Sequence, residues 1–255
     1  MIDIHTHLLP GVDDGSRSIA ASLPVLEAFA RGGVETVVCS PHLRASQASS
    51  APYARHSEIL DQLIDAAAVS PKLLLGWEIM LDVAGVDLTD PRYALGGSTA
   101  VLVEFPHSLI PPNAAAELFR LRMSGIVPVV AHPERYPGCT PAIVAEWRRA
   151  GAVMQMNVTA VVGGRRGKLA TQLLSGGLID LFASDTHCDP RSLMPARQWL
   201  LETAGATHAD LLTRENANRL LTNKSLAPVP PFPVELGMFQ RLRELVRGFR
   251  QVSAV

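Results

Sequence analysis

Short apolar runs alternate with amphipathic stretches along most of this chain. Residues 18–31 carry Ala20, Leu23, Leu26 and Ala30 at the spacing of one helix face, which predicts a helix. The apolar runs have the length and composition of strands. Seven of them are predicted as strands: residues 1–5, 35–42, 73–79, 100–106, 127–132, 152–158 and 180–187.

The order of the predicted elements indicates the fold class. Gly32, Gly125, Gly151 and Gly176 follow helical stretches and precede the next strand, which is where glycine commonly ends a helix. Repeated strand–helix units predict an α/β fold with a parallel sheet and right-handed crossovers. Seven strands in one domain suggest a closed or nearly closed (β/α) barrel. No clear helix is predicted for residues 81–97, between the third and fourth strands.

The composition fits one globular unit. The chain has 255 residues, of which 47% are hydrophobic and 18% charged, so it can bury a sizeable core. We expect a single domain over residues 1–255, with a motif-bearing core that ends at residue 223. Residues 224–255 would then hold a Pro-rich spacer at 228–233 and a C-terminal helix at 238–249.

Charge, hydropathy and cysteine content restrict the partners and the compartment. The formal net charge of −1 argues against nucleic acid as a partner. No apolar run is long enough to cross a membrane, and the first residues do not form a basic and apolar leader. Three cysteines make no disulfide framework and suit a reducing compartment. We therefore expect a cytoplasmic protein.

Metal-ligand side chains end six of the seven predicted strands, and only the sixth, near Asn157, ends without one. In α/β barrels the carboxyl ends of the strands converge on the active site. Buried together, such groups need cations to neutralise and order them. Eight side chains exceed the needs of one four-coordinate ion, so we predict two or three metal ions with Glu78 or Asp185 as a bridging ligand. The eight are His5, His7, His42, Glu78, Glu104, His132, Asp185 and His187.

These groups stand in motifs that resemble one known family. The motifs are His5-Thr6-His7, Leu-Pro-Gly-Val-Asp-Asp-Gly at 9–15, Ser-Pro-His at 40–42, Gly-Trp-Glu at 76–78, Val-Glu-Phe-Pro at 103–106, Ala-His-Pro-Glu-Arg at 131–135 and Ala-Ser-Asp-Thr-His at 183–187. In order and spacing they resemble the PHP (polymerase and histidinol phosphatase) superfamily, and within it the bacterial CpsB/CapC-type tyrosine phosphatases. The resemblance covers residues 1–223.

The resemblance implies a distorted (β/α)7 barrel with a trinuclear centre, usually of manganese. It also implies removal of phosphate from tyrosines of bacterial tyrosine autokinases that control capsule or exopolysaccharide export. Phosphate-binding roles are implied for Arg135, in His-Pro-Glu-Arg, and for Arg191, just past Asp-Thr-His. The implied metal ligands are His5, His7, Asp14, His42, Glu78, Glu104, His132, Asp185 and His187.

The ligand set indicates the chemistry. Nitrogen and oxygen ligands without thiolate suit manganese, iron or zinc. Divalent ions lower the pKa of a bridging water, so that hydroxide is available near neutral pH to attack phosphorus in line. The planar fork of an arginine matches the remaining phosphoryl oxygens. Because a phenolate leaves readily, a strong general acid is not required.

Two positions near the predicted ligands keep alternative interpretations. Asp13 and Asp14 compete for one ligand role, and the other of the two is a turn or cap residue before the first helix. His107 is either a ninth strand-end ligand or a loop histidine. We favour the loop histidine, because Glu104 already occupies that strand end.

Further residues differ from the family pattern or stand outside it. The sequence after Asp-Thr-His departs from the commoner Asp-Ala-His-Asn run, which leaves the role of Arg191 open. The pair Arg165 and Arg166 either helps to receive a phosphopeptide or lies in a solvated loop, which is the commoner case. His56 and His208 lie in helical patterns, and we interpret them as surface residues.

Two other functions fit the same residues. The first is a phosphoesterase on the same scaffold that acts on a small phosphomonoester such as histidinol phosphate. The second is a non-catalytic, metal-stabilised regulatory module that binds a kinase tail, and the complete ligand set argues against it. We therefore predict a metal-dependent phosphatase specific for tyrosine phosphate on proteins.

Overall fold

The computed structural model describes residues 1–68, 71–162 and 167–234, in which parallel strands alternate with helices. The strands are β1 (Ile2–Thr6), β2 (Thr36–Cys39), β3 (His42–Arg44), β4 (Lys72–Leu75), β5 (Glu78–Met80), β6 (Ala100–Glu104), β7 (Val127–Ala131), β8 (Val153–Asn157) and β9 (Leu181–Ala183). The α-helices are α1 (Ile19–Arg31), α2 (Tyr53–Ala66), α3 (Ala114–Met123), α4 (Pro141–Arg149), α5 (Lys168–Ser175), α6 (Leu193–Thr203), α7 (Ala206–Asp210) and α8 (Asn216–Leu221). The predicted α/β class with parallel pairing is confirmed.

Two of the predicted strands are each divided into two. The predicted strand 35–42 is broken between β2 and β3, and the strand 73–79 between β4 and β5. Pro41 stands at the first break, and proline has no N–H to give to a ladder. Hydrogen bonds from Gly76 N to Cys39 O (2.9 Å) and from Glu78 N to Pro41 O (3.0 Å) continue across the breaks. The two divided strands therefore stay next to each other through their breaks, although β2 and β4 pair in one sheet and β3 and β5 in the other.

The strands form two parallel sheets, in the orders β1-β2-β4 and β3-β5-β6-β7-β8-β9. The chain just after β9 pairs with the end of β1 through a parallel bridge between Thr6 and Thr186. Asp185 N donates to His5 O (2.9 Å) and His7 N donates to Thr186 O (2.8 Å). The first strand and the last therefore end next to each other, and so do the side chains that follow them.

The strands are covered on both faces, as near-continuous apolar runs predict. In β6, Val101 and Val103 pack in the cluster that includes buried residues of the helices. Ala100 and Leu102 alternate with them and belong to a second cluster, made mostly of strand residues, with Leu95 and with Ala217 and Leu220 of α8. The sheet therefore has an outer apolar face and an inner one, and Glu104 continues the inner face to the end of β6.

Two sequence predictions agree with the structure: a helix that ends at the first glycine pair, and no clear helix over residues 81–97. Ser18 caps α1, where its hydroxyl accepts a hydrogen bond from Ala21 N (3.2 Å), and the helix ends at Arg31 before Gly32 and Gly33. Residues 81–97 hold no α-helix, only the short 3-10 turns Pro91–Tyr93 and Leu95–Gly97. Among the described residues, no helix has the length and apolar character needed to span a bilayer.

The Pro-rich segment packs on the rest of the molecule. Val229 and Phe232 are only 6% and 5% exposed, and the Phe232 ring lies 4.6 Å from that of His208. The segment at residues 228–233, predicted as a spacer, therefore lies against the rest of the molecule through its apolar side chains. The helix predicted over residues 238–249 lies outside the described residues.

Candidate metal centre

The side chains predicted as metal ligands meet at the carboxyl ends of the strands. Eight of the nine fall into three overlapping groups. Within each group, the ligand atoms lie within 4.8 Å of one another. The ninth, His132, places Nε2 2.9 Å from Glu78 Oε1. The groups are His7, Asp14, His42 and His187; His5, His7 and Asp185; and His42, Glu78 and Glu104.

Glu78, at the start of β5, contacts more imidazoles than any other carboxylate among the described residues. Its Oε2 lies 2.9 Å from His42 Nδ1, 3.3 Å from His5 Nε2 and 3.4 Å from His7 Nε2. Burial raises the pKa of this carboxyl, but the charge of His5 and hydrogen bonds from His132 and His42 hold the pKa well below its ordinary value. Glu78 is therefore an ionised, buried carboxylate with both oxygens directed at nitrogen atoms.

Asp185 is the second carboxylate between the groups. Its Oδ1 lies 3.4 Å from His7 Nε2 and 3.5 Å from His5 Nε2. Its Oδ2 accepts hydrogen bonds from Asn157 Nδ2 (2.6 Å) and Arg135 Nη1 (2.9 Å). Asp185 has a φ of 51°, in the left-handed region that non-glycine residues rarely adopt, so its backbone is strained where its side chain enters the cluster.

Asp13 and Asp14 take different positions. Asp13 Oδ2 lies 2.8 Å from His7 Nδ1, and its Oδ1 accepts from Gly15 N at 2.9 Å in an Asx-type turn. Asp14 Oδ1 lies 3.3 Å from Nε2 of both His42 and His187. Asp13 thus holds the Nδ1 side of His7, away from its Nε2, while Asp14 faces the imidazoles of His42 and His187.

The unsatisfied atoms of the cluster fit bound cations. His5 Nε2 and His7 Nε2 lie 3.2 Å apart in a fully buried position. Glu104 Oε2 and His132 Nδ1 are buried without a hydrogen-bond partner among the described residues. Burial, and then the charge of Glu78, raise the pKa of Glu104 to about 7. A divalent cation would give these buried atoms a partner and offset the repulsion between the carboxylates of Glu78 and Glu104, because imidazole nitrogen and carboxylate oxygen both coordinate such ions.

Two arginines border the cluster. The side chain of Arg135, in the 3-10 turn Pro133–Arg135 after β7, is about half exposed, and of its nitrogens only Nη1 has a partner among the described residues. Arg191 places Nη1 3.6 Å from Asp185 Oδ2. Its Nε donates to both oxygens of Asp189, at 2.9 and 2.8 Å, so its planar guanidinium is held in place. The guanidinium groups of Arg135 and Arg191 thus both lie beside the carboxylate of Asp185.

The sequence matches the family described as capsular polysaccharide synthesis, CpsB/CapC, over residues 1–222. The chain belongs to the CpsB/CapC family. It is 29% identical to the tyrosine-protein phosphatase YwqE of Bacillus subtilis, over 92% of this chain and 97% of that protein. It is 27% identical to the tyrosine-protein phosphatase CpsB of Streptococcus agalactiae, over 88% of this chain and 99% of that protein.

Solved structures agree with this family. A chain from the crystal structures of YwqE from Bacillus subtilis and CpsB from Streptococcus pneumoniae superposes with a TM-score of 0.77. It is 28% identical, over 92% of this chain and 100% of that chain, and those proteins are described as metal-dependent tyrosine phosphatases. The dihydropyrimidinase of Brevibacillus agri matches with a TM-score of 0.56 at 14% identity, over 91% of this chain and 72% of that chain, and so shares the fold alone.

Four other predicted positions of this CpsB/CapC chain have different outcomes. His107 is more than half exposed and its Nε2 lies 3.7 Å from Glu104 Oε2, so it stands at the edge of the cluster. His56 is only 6% exposed and its ring lies 4.7 Å from that of Trp77, so its interpretation as a surface residue is wrong. It lies on the buried face of α2, which helical periodicity alone did not assign to the core. Arg165 and Arg166 lie outside the described residues.

Three residues that contact predicted site residues were missed by the sequence analysis. Gln155 and Asn157 on β8 bond to His5 and Asp185, and Asp189 holds Arg191. The alternation of Gln155 and Asn157 repeats the spacing of the His-x-His motif at another strand end, and this signal could have identified them. Asp189 gives no such signal, because an Asp in a loop commonly accepts from the backbone N–H two residues on, as Asp189 does from Arg191 N.

Proposed function

We propose that this chain is a metal-dependent tyrosine-protein phosphatase. The observation that carries the proposal is the meeting of nine predicted ligand side chains, Glu78 and Asp185 among them, with two arginines beside them. The family and the named phosphatases among its members support the same conclusion. The polar cluster lies at the carboxyl ends of parallel strands, where α/β enzymes place their active sites.

We propose further that the strands form a distorted (β/α)7 barrel. The divided pairs β2/β3 and β4/β5 each count as one strand, which gives seven strands in the order of the chain. The Thr6–Thr186 bridge, which links the end of β1 to the segment after β9, supports the closure. We also propose a single domain, since the larger apolar cluster draws residues from Met1 to Val234.

The proposed centre holds two or three divalent ions, with manganese as the first candidate and iron or zinc as alternatives. When bound, such ions supply Lewis acidity and lower the pKa of a coordinated water. Glu78 and Asp185 would help to hold more than one ion, because each faces imidazoles from more than one of the three groups. The proposed ligands are His5, His7, Asp14, His42, Glu78, Glu104, His132, Asp185 and His187.

Residues of the chain then bind and orient the phosphoryl group. Arg135 and Arg191 donate to its non-bridging oxygens, and their forks match those oxygens bidentately. The hydrogen bond from Arg135 to Asp185 fixes the guanidinium beside the centre. Negative charge that develops on the phosphoryl oxygens is stabilised by donors that are already in place. The phenolate of tyrosine leaves without a strong acid, so no further proton donor is assigned.

The proposed substrate is phosphotyrosine on a protein, and the proposed partner is the tail of a bacterial tyrosine autokinase of capsule or exopolysaccharide synthesis. The description of the family as capsular polysaccharide synthesis supports this partner. We propose a cytoplasmic location, which agrees with three unpaired cysteines.

The test compares substrates on the purified, manganese-loaded protein. We expect hydrolysis of phosphotyrosine peptides at a kcat/KM well above those for a phosphoserine peptide and for histidinol phosphate. The variant His132→Ala should lose bound metal and turnover together, since His132 contacts Glu78 directly. A preference for histidinol phosphate would favour the small-molecule alternative. Peptide binding without hydrolysis would favour a regulatory module.

A further inference from the structure

Strand β8 brings two buried amides to the proposed centre. Gln155 and Asn157 are 0% and 1% exposed. They share one face of the strand with Val153, because alternate residues of a strand point to the same side. Val153 belongs to the inner apolar cluster. Amides buried on an inner face need partners for their donors and acceptors, since unpaired polar groups are costly there.

Three contacts connect these amides with two proposed ligands. Asn157 Nδ2 donates to Asp185 Oδ2 at 2.6 Å. Gln155 Nε2 donates to Asn157 Oδ1 at 2.9 Å. Gln155 Oε1 lies 3.0 Å from His5 Nδ1. The amides therefore form a continuous line from the carboxylate of Asp185 to the imidazole of His5.

The carboxylate fixes the direction of every bond in this line. Asp185 Oδ2 accepts from Arg135 Nη1 at 2.9 Å, and a carboxylate has no proton to donate. Asn157 must therefore turn its NH2 toward Asp185, which leaves its carbonyl oxygen for Gln155. Gln155 must in turn give its NH2 to Asn157 and its carbonyl oxygen to His5. Only an N–H at His5 Nδ1 satisfies that oxygen.

We propose that Gln155 and Asn157 act as a positioning relay that keeps the proton of His5 on Nδ1 and its Nε2 lone pair directed into the metal centre. This inference rests on the ligand roles proposed for His5 and Asp185, but not on the substrate. His5 Nε2 lies 3.3 Å from Glu78 Oε2 and 3.5 Å from Asp185 Oδ1. Partners of this kind, behind the ligands, set the tautomer and orientation of metal-bound histidines.

The first test measures manganese affinity directly, so its main readout does not depend on phosphatase activity. Gln155→Met keeps the length of the side chain but cannot donate to Asn157 and offers His5 only a weak sulfur acceptor. We expect it to weaken Mn²⁺ binding about 10- to 100-fold, measured by competition with a fluorescent metal indicator. Phosphotyrosine turnover should fall at limiting Mn²⁺ and recover toward the wild-type rate as Mn²⁺ is added.

A matched control separates positioning from simple stability. Asn216 is also a buried amide, and it bonds to Asp180 O and Ala227 O at the other end of β9. Asn216→Leu should lower the unfolding temperature and leave Mn²⁺ affinity unchanged. If Gln155→Met does not fold, Asn157→Leu breaks the same relay one bond further along and takes its place.

A double-mutant cycle tests whether the two amides act as one unit. Gln155→Met with Asn157→Leu should weaken Mn²⁺ binding about as much as the larger single change, because either substitution already interrupts the line. Wild-type affinity in Gln155→Met, or losses that add fully, would overturn the relay. A wild-type protein that binds Mn²⁺ without hydrolysing phosphotyrosine would refute the proposed function and leave this inference intact.

Discussion

His132 Nε2 lies 2.9 Å from Glu78 Oε1, although the two residues are 54 positions apart in the chain. Glu78 begins β5 and His132 follows β7, with β6 between these strands in the sheet. The other oxygen of Glu78 meets His5, His7 and His42. One carboxylate therefore connects imidazoles from three strand ends, and a change at this position affects all of them.

Glu78→Gln should remove metal from the centre. The amide has nearly the same size but no charge, and one of its atoms becomes a donor that faces imidazole nitrogens. Since partners behind a ligand already contribute about 10- to 100-fold, we expect a loss of phosphatase activity greater than about 100-fold. Metal content and kcat/KM would be measured together. Glu146→Gln, on the exposed side of α4, is the control that should keep both.

Arg135→Ala should separate metal binding from phosphate binding. Arg135 contacts Asp185 only through Nη1 among the described residues, so metal content should stay close to wild type. Loss of a donor to the developing charge should lower kcat/KM about 100- to 1,000-fold. The kcat/KM of Arg135→Lys should fall between those of the wild type and Arg135→Ala, because lysine keeps the positive charge without the planar pair of donors. Arg149→Ala on α4 is the control, and equal losses in both alanine variants would refute the role.

Asp189→Ala should weaken substrate binding through Arg191. Asp189 holds the Nε of Arg191 at 2.9 and 2.8 Å, and without it the guanidinium gains freedom that binding must again remove. We expect KM for a phosphotyrosine peptide to rise about 10-fold, in line with one charge-assisted hydrogen bond. Asp90→Ala releases Arg92 from the same kind of pairing away from the cluster and should leave KM unchanged. An unchanged KM in Asp189→Ala would contradict the role of Arg191.

Tyr136→Phe should destabilise the strand ends that carry Glu104 and His132. The Tyr136 hydroxyl donates to Ala131 O (3.0 Å) and accepts from Phe105 N (3.1 Å), which joins the ends of β6 and β7. Its removal leaves a buried N–H without a partner, at a cost of about 1–3 kcal/mol in the free energy of unfolding. Urea unfolding would measure the cost. Tyr53→Phe is the control, because its hydroxyl makes no hydrogen bond with the described residues. Equal stability of both variants would contradict the stabilising role of the Tyr136 hydroxyl.

The sequence predicted the strands well because most of them are buried on both faces and therefore apolar throughout. It could not show that the second and third strands divide at Ser40-Pro41 and Gly76-Trp77, because the division depends on which neighbour each half pairs with. The burial of Val229 and Phe232 was missed for a similar reason. A Pro-rich stretch has the composition of a spacer, and only the tertiary structure shows the surface that covers its apolar side chains.

At the centre, the residue types at strand ends identified the side chains that meet, since parallel strands bring their carboxyl ends to one edge. Their geometry followed from details that a sequence does not encode locally. His132 and Asp185 adopt left-handed backbone conformations, with φ of 37° and 51°, which turn their side chains into the cluster. Asp13 and Asp14 were told apart only by distance, because either carboxylate can reach a histidine from the same loop.

The most direct measurement is the metal content of the purified protein, determined together with its hydrolysis of a phosphotyrosine peptide before and after chelation. We expect two or three transition-metal ions per chain, loss of hydrolysis when they are removed, and recovery when Mn²⁺ is returned. Full hydrolysis by protein that holds no metal would contradict the account.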